Sequence, residues 1–342
     1  MKLSIIIPCY NCSTTISRLL ESILANGLDK NDYEVIIVDD NSTDGFLNVV
    51  SEYESKMDIV YAQTVRDVHC PGNTREIGLG YVQGEWFMFA DNDDMFEPTA
   101  FKTGFEYLEE HPETTILSTN FREVIFETGE VVREFKGEDT DTWLHGKFYN
   151  TKKVLQGFNA HFKEDLCTHE DVYFNSLCLT HMIDNDTDYA YLPVFTYKWV
   201  YNPDSITRSF YRKKHDHTFI EKYMDDYLHA VSDPRIEMFK TTNKQNTVLW
   251  CLDQIMMNML HAYFYYQASV WKLGGAYTLD DCYVALRQFK RRVIEVTGLT
   301  EQGMINYVYS KPGKYDEVRK HGIEGVFPFV ETQSFRDFIL NL

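Results

Sequence analysis

Basic residues are scarce in this 342-residue chain. It contains 33 lysines and arginines against 52 aspartates and glutamates, which gives a formal net charge of −19 at pH 7. Proteins that bind nucleic acids or anionic membranes in general use lysine and arginine to neutralise phosphates. The charge therefore argues against nucleic acid as a partner, although it allows a local basic patch.

Long apolar runs are also missing. The most apolar long stretch, residues 248–266, includes an aspartate, a glutamine, an asparagine and a histidine, which is typical of an amphipathic core helix and not of a membrane span. The apolar residues 3–7 reach Pro8 too early to form the h-region of a signal peptide. We therefore expect no transmembrane segment and a cytoplasmic protein.

Cysteine and glycine motifs of other enzyme classes are incomplete. Seven cysteines, an odd number, are scattered along the chain, which suits a reducing compartment. Cys9 and Cys12 form a CxxC between a predicted strand and a predicted helix, as in redox proteins, but no second CxxC completes four zinc ligands. Gly78 and Gly80 do not form a GxGxxG fingerprint, so nicotinamide binding is disfavoured.

The composition is that of a globular protein. Hydrophobic residues make up 44% of the chain and aromatic residues 15%, and the length suits one large or two medium domains. Apolar, strand-like runs at residues 3–8, 34–38, 59–62 and 86–90 alternate with helical patterns, the first of which is expected to have Ser13 as its N-cap. This alternation predicts an α/β fold with a parallel, doubly wound sheet.

Acidic residues follow two of these predicted strands directly. The strand at residues 34–38 runs into Asp39 and Asp40, and the strand at residues 86–90 runs into residues 91–94 (DNDD). Parallel strands deliver their carboxyl ends to one edge of a sheet, where ligands of such sheets bind. Carboxylates gathered there repel each other unless a cation relieves them, and hard divalent ions prefer oxygen ligands.

We interpret Asp91, Asn92 and Asp93 as a DxD element that binds Mg²⁺ or Mn²⁺ against a diphosphate. The alternative is an acidic turn that caps a helix predicted near Pro98, since aspartate and asparagine are ordinary turn residues. Arg75, in a predicted helix, is a candidate phosphate ligand. The alternative for Arg75 is a solvated side chain.

Several short motifs occur in a characteristic order. They are residues 5–11 (IIIPCYN), 38–44 (VDDNSTD), 91–94 (DNDD), 146–149 (GKFY), 169–174 (HEDVYF) and 202–208 (NPDSITR). Over about residues 1–212, this set resembles the large family 2 of inverting nucleotide-diphospho-sugar glycosyltransferases. The resemblance implies a GT-A catalytic domain at residues 1–214, with a Rossmann-like mixed sheet flanked by helices. Residues 215–342 resemble no family that we can place.

The resemblance also implies a nucleotide pocket. Tyr10 would stack on the base, Asp40 would accept the imide hydrogen of a uracil, and Pro8 would shape the pocket with its backbone. Asn11 and Asn92 are expected to contact the donor as well. For Tyr10 the alternative is a core aromatic, and for Asp40 it is a turn or cap carboxylate.

For the chemistry, the resemblance places the metal, Mn²⁺ or Mg²⁺, on Asp91 and Asp93. Inversion in one displacement needs a general base within reach of the acceptor hydroxyl. Asp171 matches the base of the family, and Glu170 is expected to orient the acceptor. The alternative for this acid pair is complementation of a helix dipole, since it opens a predicted helix.

The one basic cluster of the chain lies at residues 202–217. In this position the family often has a loop that closes over the donor, so Arg208 or Arg212 is expected to contact the diphosphate, and His215 or His217 to complete the metal shell. From residue 218 onward the pattern is helical, with apolar stripes that are most often core. This C-terminal region is expected to bind the acceptor or to form a homo-oligomer.

The favoured function is that of a metal-dependent inverting glycosyltransferase of the hexosyltransferase type. It would move a sugar from a UDP-sugar to an acceptor hydroxyl, in polysaccharide biosynthesis. One alternative is a sugar-1-phosphate nucleotidylyltransferase, although the chain lacks a glycine-rich, basic loop after its first strand. Another is a non-catalytic carbohydrate- or partner-binding module, against which the intact Asp93 and Asp171 argue.

Overall fold

The chain divides into two compact units, Met1–Pro203 and Asp204–Leu342. Arg208, the rest of the basic stretch beyond residue 202 and the apolar stripes predicted after residue 218 lie outside the described residues. The first unit contains the candidate site. A computed structural model describes residues 1–65, 70–163, 166, 169–185, 188–202, 229, 284, 287, 288, 290, 291, 294, 295, 300 and 302.

The first half of this unit alternates strands and helices as predicted. β1, β2 and β4 are buried along their whole length, which is why their sequences are nearly uninterrupted apolar runs. Ser13 is not the N-cap of the first helix: Thr15 holds that position, and Ser13 N donates to Asp44 at 2.7 Å. The elements are β1 (Leu3–Cys9), α1 (Ile16–Ala25), β2 (Tyr33–Asp39), α2 (Phe46–Ser51), β3 (Asp58–Gln63), α3 (Pro71–Leu79) and β4 (Trp86–Phe89).

The second half of the unit is richer in strands than predicted. A hairpin that turns at residues 128–130 joins two antiparallel strands, and the three strands β5, β8 and β9 were not predicted. The elements are β5 (Met95–Phe96), α4 (Ala100–Glu110), β6 (Thr114–Val124), β7 (Val131–Phe135), a 3-10 turn (Gly137–Thr140), β8 (Lys147–Asn150), a π-helix (Lys152–Gly157), α5 (Glu170–Asn185) and β9 (Asp188–Val200).

All of these strands belong to one mixed sheet in the order β3-β2-β1-β4-β8-β6-β9-β5, with β7 paired to β6. β1 to β4 are parallel, as the alternation of strands and helices predicted. The prediction of a wholly parallel sheet is wrong beyond β4, because β8 is antiparallel to β4 and β6. β8 follows a hairpin instead of a crossover helix, and only a crossover would keep it parallel. The mixed GT-A sheet implied by the family resemblance is confirmed.

Apolar layers cover both faces of the sheet. Successive side chains of a strand point to opposite faces, so Leu3, Ile5 and Ile7 of β1 pack with α1, α2 and α4, whereas Ile6 packs with α3 and α5. α1 and α3 therefore approach the strand ends from opposite faces. Within the described residues, no helix is long and apolar enough to cross a membrane.

The described cysteines are in two states. Cys9, Cys12 and Cys178 are free and buried, whereas Cys70 is disulfide-bonded. The disulfide differs from the wholly reduced set that the odd cysteine count suggested. Burial raises the pKa of Cys9 well above its ordinary value, which disfavours the thiolate that a redox-active CxxC needs.

The packing of α4 on the sheet depends on Gly104. A Cβ at this position would overlap the buried ring of Phe148 in β8. We expect Gly104→Ala to lower the free energy of unfolding by about 1–3 kcal/mol, the usual scale of overpacking. Gly157→Ala is the matched control, because its nearest neighbouring atom would lie at 3.8 Å. Urea unfolding of the two variants measures the difference, and equal stabilities would contradict the assignment.

Candidate active site

The carboxyl ends of β1, β2 and β4 meet at one edge of the sheet. Cys9 is paired with Asp39 at the ends of β1 and β2. Asp40 N donates to Cys9 O at 2.8 Å, and Ala90 N donates to Ile6 O at 3.0 Å, so the pairing continues past the strands. The predicted site residues that follow these strands therefore share this edge: Tyr10 and Asn11 after β1, Asp40 after β2, and Asp91, Asn92 and Asp93 after β4.

The loops after β1 and β2 are tied together. Asn11 N donates to Ser42 Oγ at 2.9 Å, and Asn11 Oδ1 accepts from Thr43 N at 2.8 Å. Asn11 has a left-handed backbone with φ 47°, a conformation that asparagine tolerates better than most residues. This cross-link gives the edge of the sheet a fixed double loop.

Tyr10 follows β1 and Asp40 follows β2 at this edge of the sheet. Tyr10 is 48% exposed, so the alternative of a core aromatic is wrong. Asp40 is buried and accepts from Thr64 Oγ1 at 2.7 Å. The turn after β2 is capped by its neighbour, since Asp39 Oδ1 accepts from Ser42 N at 2.9 Å. The edge thus carries an exposed ring after β1 and a buried carboxylate after β2.

Side chains from several elements hold the DNDD turn. Asn92 Nδ2 donates to Pro8 O at 2.9 Å, and Asn92 Oδ1 accepts from Thr15 Oγ1 at 3.2 Å. Asp93 Oδ2 accepts from Asn202 Nδ2 at 2.9 Å. Burial raises the pKa of Asp93 above its ordinary value. Asn92 thus links β1 to the start of α1, and both ends of its amide contact protein groups.

Asp94 is wholly buried beneath the turn. Its Oδ2 accepts from Tyr197 OH and its Oδ1 accepts from Val200 N, both at 2.8 Å. The Tyr197 hydroxyl accepts in turn from Asp91 N at 3.0 Å. Burial, together with Asp93 and Asp91, raises the pKa of Asp94 well above its ordinary value. Asp94 and Tyr197 therefore fix the main chain of the DNDD turn through these buried hydrogen bonds.

Potential metal ligands gather at this turn. Among the described residues, Asp91, Asp94 and His145 form the one group of three whose ligand atoms all lie within 4.8 Å of one another. Burial lowers the pKa of His145 to about 4, so its ring is neutral. Both oxygens of Asp94 already accept protein hydrogen bonds, whereas the side chain of Asp91 is 31% exposed. Carboxylate oxygens such as these fit Mg²⁺ or Mn²⁺.

Arg75 of α3 joins this turn to helix α5. Its Nη2 lies 2.6 Å from Asp91 Oδ1, and its Nη1 lies 2.7 Å from Glu170 Oε1. Its side chain is 7% exposed, so the alternative of a solvated arginine is wrong. Burial disfavours the charged guanidinium, but the two carboxylates outweigh burial and raise the pKa of Arg75. One cation therefore holds acids from distant parts of the chain together.

Asp171, the expected base, is the second residue of α5. Asn175 Nδ2 donates to Asp171 O at 3.1 Å and to Thr142 O at 3.0 Å, which fixes the first turn of the helix. Burial, followed by the nearby charge of Glu170, raises the pKa of Asp171 to about 7. A carboxyl group with this pKa can exchange a proton near neutral pH, as a general base must.

The start of α5 lies close against α3. A Cβ at Gly72 would lie 3.0 Å from Glu170 Cβ and 3.2 Å from Leu166 O, so the approach requires glycine. His169 precedes the helix with a left-handed backbone, φ 60°. The close approach of α3 and α5, together with the backbone turn at His169, fixes the position of Glu170 and Asp171 at the start of α5.

Several supporting residues were not predicted from the sequence. Tyr197 and His145 stack with ring centroids 4.8 Å apart beside the turn. Lys147 is buried and donates to the carbonyls of Thr140 and Trp143, and burial lowers its pKa to about 7. Lys147 stands in the GKFY motif, which is the only local signal that pointed to any of these residues.

The mixed sheet and its acidic strand ends define a GT-A fold. Residues 4–168 match the sequence profile of Glycosyl transferase family 2. Over these residues, just under half of the chain, the sequence is that of a glycosyl transferase family 2 domain.

Two curated relatives act on the same polymer. TarS, the poly(ribitol-phosphate) beta-N-acetylglucosaminyltransferase of Staphylococcus aureus, is 31% identical over 182 residues, which are 51% of this chain and 32% of TarS. The poly(ribitol-phosphate) beta-glucosyltransferase of Bacillus spizizenii is 35% identical over 113 residues, which are 32% of this chain and 18% of that protein. The chain thus spans a third or less of the length of these two relatives.

A solved structure has the same fold. The crystal structure of S. aureus TarS residues 1–349 in complex with UDP-GlcNAc matches with a TM-score of 0.66 at 21% identity. The match covers 94% of this chain and 92% of that chain. At 21% identity, this similarity shows only that the two proteins share a fold.

Removal of the Arg75 guanidinium should destabilise the protein. We expect Arg75→Met to lower the free energy of unfolding by about 3 kcal/mol, because two partly buried carboxylates lose their buried counter-ion. Lys102→Met is the matched control: Lys102 is exposed and pairs with Glu106 at 3.7 Å, and such pairs contribute about 0.3–0.5 kcal/mol. Denaturant unfolding without metal measures the loss of stability in both variants. Equal losses would contradict the stabilising role of the ion pairs of Arg75.

Proposed function

We propose that the protein is a metal-dependent inverting glycosyltransferase that transfers a sugar from a UDP-sugar to an acceptor hydroxyl. The observation that carries this proposal is the Arg75 bridge between Asp91 and Glu170. It holds the turn expected to bind the leaving diphosphate next to the helix that bears Asp171. A single displacement needs a charge-stabilising group on the leaving side and a base on the attacking side, and the bridge joins the two.

The nucleotide would bind over the ends of β1 and β2. The exposed ring of Tyr10 offers a surface for stacking a base, and Asp40, held by Thr64, can accept an imide N–H. Uracil has such a group and cytosine does not. Pro8 and Asn11 would form the floor of this pocket. The complex of TarS with UDP-GlcNAc supports a UDP-linked donor.

Asp91 and Asp93 would bind the metal, Mn²⁺ or Mg²⁺. Burial raises the pKa of Asp93, and the charge of Asp91 adds to the effect, so a cation would relieve an unfavourable concentration of negative charge. When bound, such an ion neutralises the charge that develops on the departing diphosphate. Asn92 would support the turn next to the donor, and Arg208 would add a second positive contact to the diphosphate.

Asp171 would act as the general base. It takes the proton of the acceptor hydroxyl while the hydroxyl oxygen attacks the anomeric carbon opposite the diphosphate. The new glycosidic bond forms as the bond to the diphosphate breaks, so the anomeric configuration inverts. Arg75 contacts Glu170 through Oε1, and Glu170 would orient the acceptor. Burial makes the Asp171 carboxylate a stronger base than a solvated one.

The acceptor would be a hydroxyl on a polyol-phosphate or polysaccharide chain. The two curated relatives are named for transfer of different sugars to poly(ribitol-phosphate), which supports a polymeric acceptor more strongly than any one sugar. Residues 1–214 would form the catalytic domain, and residues 215–342 would bind the acceptor or form a homo-oligomer. A nucleotidylyltransferase is not favoured, because the loop after β1 is cross-linked through Asn11 and Ser42 and carries no basic residue.

A thermal-shift screen tests the donor and the metal together. UDP, GDP, CDP and dTDP are each compared with and without Mn²⁺, and UDP with Mn²⁺ should raise Tm most, because at equal concentration the ligand that binds the native state most tightly stabilises it most. Asp93→Ala should remove the Mn²⁺-dependent part of the UDP shift. Equal shifts for all four nucleotides, or a wild-type UDP shift that does not respond to Mn²⁺, would contradict the proposal.

Replacement of the base should separate binding from turnover. Asp171→Asn should bind UDP as the wild type does and lose turnover by roughly 10²-fold or more, the scale of a lost general base. In the wild type, turnover should rise with pH through about 7, because only the ionised carboxylate accepts a proton and its pKa is raised to about 7 from an ordinary value of 3.8. Initial rates of UDP-sugar turnover from pH 5.5 to 9 measure both effects.

Asp58→Asn is the matched control for the Asp171 experiment. Asp58 is exposed at the start of β3, so the same acid-to-amide change should leave the rate and its pH profile as in the wild type. An Asp171→Asn variant as active as Asp58→Asn would assign the base to another group.

A further inference from the structure

One side of α1 and its two flanking residues carries a polar stripe. The residues are spaced three and four apart, so they lie on the same side of the helix. The buried apolar residues of α1 belong to the hydrophobic core on one face of the sheet, and two members of the stripe, Ser22 and Asn26, are buried as well. The stripe consists of Thr15, Arg18, Ser22 and Asn26.

Each residue of this stripe contacts the segment that contains and follows the DNDD turn. Residues further along α1 contact residues further along this segment. Helix α1 therefore fixes the backbone of the turn and of the residues that follow it. The pairs are Thr15 Oγ1 to Asn92 Oδ1 at 3.2 Å, Arg18 Nη2 to Asp93 O, Phe96 N to Ser22 Oγ at 3.0 Å, Asn26 Nδ2 to Glu97 O at 3.0 Å, and Phe101 N to Asn26 Oδ1 at 3.0 Å.

Arg18 is the one charged member of the stripe. Its guanidinium donates to the main-chain carbonyl of Asp93, and it stacks on the ring of Phe126 with Cζ 4.6 Å from the ring centroid. Phe126 stands in the turn between β6 and β7 and is 49% exposed. Arg18 thus fixes the peptide of Asp93 from the α1 face, while Arg75 contacts Asp91 from the α3 face.

We propose that Arg18, backed by Phe126, is a positioning residue for the metal. It holds the main chain of Asp93 so that the Asp93 carboxylate is presented to the ion in one orientation. This inference rests on the proposed function, since it concerns the cation of that site. It assigns to α1 and to the β6–β7 hairpin a role in metal affinity that neither the DxD motif nor the family resemblance gave them.

The geometry calls for arginine at this position. A planar guanidinium can stack on an aromatic ring and donate in its plane at the same time, whereas the ammonium of a lysine is a point charge on a flexible stem. Arg18→Lys should therefore recover only part of the function. Arg18→Met keeps much of the side-chain length and removes both the donor and the charge.

The test measures the Mn²⁺ concentration that half-saturates UDP binding, by calorimetric titration of Mn²⁺ into protein with UDP. Arg18→Met should raise this concentration roughly 10- to 100-fold, the range seen when groups that orient metal ligands are removed. Arg18→Lys should lie between Arg18→Met and the wild type. Binding of UDP without Mn²⁺ should be the same in all three proteins.

Arg133→Met is the matched control. Arg133 also stacks on an aromatic ring, with Cζ 4.3 Å from the centroid of Phe135, and it pairs with Glu123 at 3.8 Å. The substitution removes the same charge and the same kind of stacking from β7. It should leave the Mn²⁺ requirement as in the wild type, so a rise equal to that of Arg18→Met would overturn the inference.

A second variant covers the case in which Arg18→Met does not fold. Phe126→Leu removes the ring and keeps the arginine, and it should raise the Mn²⁺ requirement by a smaller factor. Loss of metal-free thermal stability in Arg18→Met with an unchanged Mn²⁺ requirement would show a structural role alone and would overturn the inference. If the wild type itself shows no Mn²⁺-dependent UDP binding, the proposed function fails, and the inference fails with it.

Discussion

The site depends on one buried guanidinium between two partly buried carboxylates. Arg75 reaches Asp91 on β4's turn and Glu170 at the start of α5. In a poorly solvated place these acids would repel each other, and removing them from water is costly without a partner of opposite charge. Arg75 meets both requirements at once. The distance between the proposed metal and the proposed base is therefore set by a single side chain.

The two faces of the sheet contribute different residues to the site. On one face, α3 and α5 supply Arg75, Glu170 and Asp171, and Gly72 allows the two helices to approach. On the opposite face, α1 contacts the DNDD turn with its polar stripe. Buried Asp94 and Tyr197 hold the same turn from below. The turn is thus fixed from three directions, as a site that must present carboxylates in one geometry requires.

The parts of this architecture that have local patterns could be predicted from the sequence. β1, β2 and β4 are nearly continuous apolar runs, and β2 and β4 lead directly into acids, so both the parallel half of the sheet and its acidic edge were foreseen. β8 is four residues long and contains the buried Lys147, and β5 has two residues, so neither has a recognisable period. The sequence left open whether Arg75 is solvated and whether Tyr10 is a core residue. The burial of Arg75 and the exposure of Tyr10 in the folded chain answered both questions. Arg18 and His145 act through residues far along the chain, which no local pattern records.

The most direct test of the account is the position of the metal. A crystal of the protein with UDP and Mn²⁺, measured for anomalous scattering, should show one strong peak bonded to Asp91 or Asp93 and to a diphosphate oxygen, with the uracil stacked on Tyr10. A peak held by Asp94 and His145 in place of these residues, or a nucleotide bound away from Tyr10 and Asp40, would contradict the account.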